Sequence, residues 1–155
     1  MNKVILKHLS LYSLFAGLIF GVFAAIPYIG GLALFAVLFL SAPVVMLFLI
    51  MAGKYDLTTG KDSIINGAIS GFFANITFAF AYCTFVALLY VIFKFTTNYF
   101  LTAAIMNSPI WLLVVLILFI GVLTATTNAL SGFLTYYIVN LIRDIYERKH
   151  SDEDI

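Results

Sequence analysis

The chain has 155 residues, 64% of them apolar and only 10% charged, with a net charge of +1. An ordinary soluble domain carries about 25% charged residues, so the composition argues against a soluble enzyme. No basic stripe exists outside the flanks of the apolar runs, which argues against nucleic acid as a partner. Cys83 is the only cysteine. No intrachain disulfide can form, and its place within an apolar run marks it as a packing residue rather than a reactive thiol.

Four apolar runs, 9–26, 32–52, 64–93 and 109–142, are long enough to cross a bilayer, which takes about 18 or more apolar residues. None contains a charged residue. The first follows Lys3 and Lys7 and contains Gly17 and Gly21. A basic start ahead of an apolar stretch also fits a signal peptide cleaved near Val22-Phe23-Ala24. The length of the run and the short turn into the second favour a retained helical hairpin. Pro27, Gly30 and Gly31 punctuate that turn. Pro43 lies inside the second span and is expected to kink it, because proline removes a backbone bond.

The loop 53–62 carries Lys54 and Lys61. Asp62 or Ser63 is expected to cap the third span. Lys54 and Lys61 near a helix start are candidates for lipid-headgroup contact, although Asp56 and Asp62 offset their charge. Between spans three and four, Tyr99, Phe100, Ala103 and Met106 share one helical face. A short interfacial helix near 98–106 is expected there. Ser108-Pro109 opens the fourth span, and the charged segment 143–155 forms a tail. Tyr28, Tyr99 and Trp111 are expected as anchors at one membrane interface, Tyr55 and Tyr146 at the other.

Seven basic residues (Lys3, Lys7, Lys54, Lys61, Arg143, Arg148 and Lys149) flank one side of the predicted membrane, and Lys94 alone the other. Positive charge stays cytoplasmic, so both termini are expected inside. The fold class that follows is an all-α integral membrane protein: a four-transmembrane-helix antiparallel bundle, N-in and C-in, forming one domain over 1–155. A bacterial plasma membrane is the default location.

Two groups of residues carry the functional expectation. Small residues let helix backbones approach in lipid; Gly17, Gly21, Gly67, Gly71, Gly121 and Gly132 therefore mark packing faces or an oligomer interface. The pentapeptides Ala68-Ile69-Ser70-Gly71-Phe72 and Ala129-Leu130-Ser131-Gly132-Phe133 resemble each other and read as two packing surfaces with similar needs. Polar residues within spans form the second group: Asn75, Thr77, Thr124, Asn128, Ser131 and Thr135. At about 1.5 Å rise per residue, Asn75 and Asn128 fall at matching depth and are expected to bond each other. The group serves either as structural glue or as the lining of a polar groove between spans three and four.

No Asp, Glu, Lys, Arg or His lies in a span, which disfavours proton relays, voltage sensors and ion-coupled transport. No spacing suits a metal or a nucleophile triad, and nothing calls for a cofactor. Gly60-Lys61-Asp62-Ser63 lacks the earlier glycine and the Ser or Thr after Lys that a P-loop needs. Asn75-Ile76-Thr77 has the spacing of a glycosylation acceptor but lies near mid-membrane. The leading expectation is a non-catalytic membrane protein acting through helix–helix association, as a homo-oligomer or an accessory subunit of a membrane complex, with lipid around it. The alternative is a carrier or permeation protein for a small neutral or lipid-like solute.

Overall fold

The computed structural model describes residues 3–26, 28–56, 59–96 and 98–153, and among them the chain is helical with no strand. Helix α1 runs Lys3–Ala24. Span two is one rod made of α2 (Gly30–Phe35), a π-helical segment (Ala36–Leu40) and α3 (Ser41–Met51). Then come α4 (Gly60–Phe93), α5 (Tyr99–Asn107) and α6 (Ile110–Glu153). Four helices are long and apolar enough to cross a membrane: Val4–Ala24, Gly30–Met51, Gly60–Phe93 and Ile110–Lys149. With 34 and 44 residues, α4 and α6 reach about 51 and 66 Å, well beyond the ~30 Å hydrocarbon core.

The element boundaries follow local chemistry. Helix α4 begins before the expected Asp62 or Ser63 cap, because Thr59 is the cap. Its hydroxyl accepts the Asp62 N–H at 3.2 Å and donates to the Asp62 carboxylate at 2.9 Å. The helix ends at Lys94 in the left-handed region (φ 53°), with Phe95 N–H returning to the Leu89 carbonyl at 3.3 Å. Asn98 caps α5 by accepting the Leu101 N–H at 3.1 Å. Pro27, central to the expected first turn, lies outside the described residues. Its neighbour Tyr28 is left-handed (φ 69°) and fully exposed. Helix α6 continues through the tail to Glu153, with Asp154 and Ile155 outside the described residues.

Helix α4 is the axis of the molecule, gripped by α1 on one side and α6 on the other. Along α1 the contacts climb together: Ser13 meets Ser70, Gly17 meets Ala74 and Thr77, and Gly21 meets Phe78 and Ala81. Spans one and three therefore run parallel to each other. Against α6 the order reverses. Gly67 meets Asn128, Gly71 meets Thr124 and Asn128, and Gly132 meets Ser63 and Gly67. The two similar pentapeptides thus meet in one antiparallel interface. Span two packs against α1, α4 and α6.

Two apolar clusters fill the interior. One holds Leu9, Ala42, Val45, Met46, Leu49 and Tyr55 toward the Arg143 end. The other holds Ala24, Ala33, Val37, Ala74 and Phe78 toward the Lys94 end. Tyr55, expected as an interface anchor, is instead 8% exposed and belongs to the first cluster.

Candidate functional site

Between the two clusters a chain of buried polar groups joins all four spans. The Ser13 hydroxyl donates to Ser70 Oγ at 2.8 Å, and Ser70 reaches the Ser41 carbonyl at 3.5 Å. Ser41 Oγ donates to Asn128 Oδ1 at 2.8 Å. Asn128 Nδ2 donates to the Thr124 carbonyl at 3.0 Å, and Thr124 Oγ1 contacts Asn75 Oδ1 at 3.4 Å. Asn75 Nδ2 closes the chain on the Ile117 carbonyl at 3.1 Å.

Asn128 is its centre. In a regular α-helix the Leu38 carbonyl would accept the Ala42 N–H. Here both groups bond the Asn128 carboxamide. Oδ1 accepts the Ala42 N–H at 2.8 Å, and Nδ2 donates to the Leu38 carbonyl at 2.8 Å and the Val37 carbonyl at 3.0 Å. Thr127 adds a 2.6 Å bond to the Leu38 carbonyl. A side-chain amide has entered the backbone ladder of span two. Pro43 adjoins the opening: it lacks an N–H and its ring presses on the Phe39 carbonyl four residues back, next to Leu38. The helix answers with the π segment just ahead of it. In hydrocarbon such freed groups require partners, and Asn128 supplies them.

The expected Asn75–Asn128 bond is not made; Thr124 stands between the two side chains. Nor, among the described residues, does a polar groove open between spans three and four at Gly71 or Gly132. A Cβ at Gly71 would lie 2.6 Å from the Thr124 carbonyl oxygen, and one at Gly132 2.6 Å from that of Ser63. The backbones are in contact there. Gly121 abuts the Phe72 ring, and a Cβ added to it would stand 3.2 Å from that ring. Thr77, Ser131 and Thr135 bond carbonyls of their own helices. Ser131 and Thr135 line a shallow groove beside Phe39, Pro43 and Leu47, between spans two and four. Gly17 and Gly21 face α4 of the same chain, so this face is closed to a second copy. Sequence reasoning missed Ser13, Ser41 and Ser70 as hydrogen-bonding groups. The four-residue step Ser13–Gly17–Gly21 was the available signal for the first.

Open space lies toward the Lys94 end. A cavity of about 240 Å³ is bounded by Val37 and Leu38 of the π segment, Phe78 and Tyr82 of α4, Ile117 of α6 and Ile105 of α5. Asn75 and Cys83 also reach its wall. A second cavity of about 230 Å³ includes Tyr28, Gly30, Gly31 and Asn98. Leu34, Tyr82 and Leu101 line both cavities. The Tyr82 ring stacks on Phe78 at 6.1 Å between centroids.

At the Arg143 end, Arg143 pairs with Asp56 at 2.8 Å, both exposed. Lys54 Nζ lies 5.8 Å from the centre of the Tyr12 ring, and Lys61 is exposed at the start of α4. Beneath them Asn66 Nδ2 donates to the Tyr55 hydroxyl at 2.7 Å, leaving the buried Asn66 Oδ1 without a partner among the described residues. Burial pushes the Tyr55 phenol above its usual range, against the lowering effect of the Asn66 and Ser63 hydrogen bonds. A phenol pKa raised by folding adds stability below the unfolded pKa, and that stability is lost as pH rises through the folded value. Alkaline titration of phenolate absorbance should therefore show a late-ionising fraction of the tyrosines, and that fraction should shrink in Tyr55→Phe.

No protein-family model matches the chain, and neither a curated protein nor a solved structure shows significant similarity to it.

Proposed function

We propose that the chain is a non-catalytic multi-pass membrane protein that holds a lipid-like molecule in the cavity between spans two, three and four. The observation that carries this reading is the contrast between the two places considered for a ligand. The polar seam is closed by glycine contacts and saturated with hydrogen bonds. The cavity beside it is open, apolar and firmly walled. Its π-segment wall is fixed by Asn128 and its α4 wall by α1 and α6. Binding sites are concave, mostly apolar and supplied with a few polar groups; Asn75 and Tyr82 are the polar groups here.

The excess of basic residues at the Arg143 end supports an N-in, C-in orientation, which puts the cavity in the outer half of the bilayer. A bacterial plasma membrane remains our reading of its location. Lys54 and Lys61 would then meet the inner headgroups. The action is binding or carriage rather than catalysis, because no acidic, basic or histidine side chain reaches the cavity among the described residues.

Association with another membrane protein, or with copies of itself, is the second reading. It is favoured by the exposure of α6, where Val115, Phe119, Val122, Leu130 and Leu134 are all about half exposed or more. Such an interface would use this bulky face and not Gly17 and Gly21.

Native mass spectrometry from lipid nanodiscs tests both. One defined apolar species, lost in Ala79→Trp, which fills the cavity wall, is the expected result. A bound population that mirrors bulk lipid and ignores Ala79→Trp would overturn the cavity reading. A stoichiometric protein partner or a stable homo-oligomer would favour the second.

A further inference from the structure

Resting on the cavity reading, we infer that the ligand is a single-chain amphiphile with an uncharged polar head, its chain in the inner cavity and its head in the outer one. The two spaces share Leu34, Tyr82 and Leu101, so one molecule can extend through both. Their linings differ in kind. The inner space is almost wholly apolar, whereas the outer one brings together Tyr28, Tyr82, Asn98 and the start of α2 at Gly30 and Gly31. A ligand matched to both is apolar at one end and polar at the other.

Size sets the number of chains. An engineered apolar cavity of about 150 Å³ holds one benzene. A space of about 240 Å³ accepts one chain end or a small ring system, and two acyl chains exceed it.

Charge sets the head. Among the described residues neither cavity is lined by Asp, Glu, Lys, Arg or His. Phosphate and carboxylate heads are recognised through Arg or Lys, and moving a charge out of water without such a partner is costly. Lys94, the one basic residue at this end, is 12 residues along α4 from Tyr82, about 18 Å by helical rise. Its Nζ lies 5.6 Å from the centre of the Tyr90 ring. The Tyr82 hydroxyl has no hydrogen-bond partner among the described residues, and the Asn98 amide nitrogen is likewise free while its oxygen caps α5. A phenol and an amide suit hydroxyl or carbonyl groups.

The test measures retention of three tritiated probes by purified protein in mild detergent: hexadecane, 1-oleoylglycerol and oleoyl lysophosphatidylglycerol. The inference predicts that 1-oleoylglycerol is retained at least about tenfold better than the anionic probe, as an unpaired charge would be penalised. It also predicts that Tyr82→Phe and Asn98→Ala narrow that ratio while hexadecane retention stays unchanged. Equal retention of the neutral and anionic probes, both lost in Ala79→Trp, would overturn the uncharged head and leave the cavity reading standing. Retention of hexadecane alone would overturn the amphiphile. No retention of any probe would overturn the cavity reading itself. If Ala79→Trp fails to fold, Ile105→Trp on the facing helix serves in its place.

Discussion

Asn128→Leu should destabilise the protein by about 2–4 kcal/mol. The side chain makes four bonds to span two: to the Val37 and Leu38 carbonyls, the Ser41 hydroxyl and the Ala42 N–H. At the ~0.6 kcal/mol average for interhelical bonds in membranes, four bonds give a lower figure of about 2.4 kcal/mol. The Ala42 N–H would be left unsatisfied, at about 1–3 kcal/mol for such a buried group, whereas the Val37 carbonyl keeps the Ser41 hydroxyl and the Leu38 carbonyl keeps Thr127. Partial closure of the π segment recovers some of that. Asn128→Gln keeps the amide but displaces it by a methylene and should fall between. Unfolding in mixed micelles of rising dodecyl sulfate content, followed by circular dichroism, reads the difference. A change below about 0.5 kcal/mol for the leucine variant would show that the clamp is dispensable.

Gly71→Leu should prevent assembly of spans three and four altogether. The first added carbon alone would lie 2.6 Å from the Thr124 carbonyl oxygen and 2.6 Å from Asn128 Cβ. The obstacles are backbone and a clamped side chain, so relief requires the helices to part. Overpacking costs about 1–3 kcal/mol where side chains can yield; here the loss should exceed about 3 kcal/mol. Gly31→Ala is the control. It is helical, with nothing within 4 Å of the added carbon. It should leave stability unchanged or raise it by about 0.5–1 kcal/mol. If Gly71→Leu unfolds at the same detergent composition as the parent chain, close backbone contact is not what holds α4 to α6.

The membrane character of the chain was legible because contiguous apolar residues report on solvent and not on partners. The boundaries were less so. Thr59 caps α4 from outside the apolar run. Helix α6 continues past Arg143 to Glu153, beyond the point where hydropathy has ended. The small-residue faces were also legible, but not their partners: a glycine face looks the same whether it meets its own chain or a copy. Helical rise gave the depth of Asn75 and Asn128 correctly enough to place them near one another. It gave no azimuth, and the two side chains turn to different neighbours. The π segment could not be read from 36–40 at all. Pro43 announces a disturbance, but its form depends on Asn128, far along the chain.

That distance bears on how the protein is made. The Leu38 carbonyl lies 89 and 90 residues from the Thr127 and Asn128 side chains that satisfy it. At about 5–20 residues per second, roughly 5–18 s of synthesis separate them. Through that interval span two has been released from the ribosome without its fourth-span partner. Its nascent form is either an ordinary helix strained at Pro43 or a broken one awaiting rescue by water, lipid headgroups or an insertion factor. The wide turn is a late acquisition, completed only when the last helix enters the membrane. Truncation anywhere before Asn128 should leave a first hairpin that inserts but that quality-control proteases degrade.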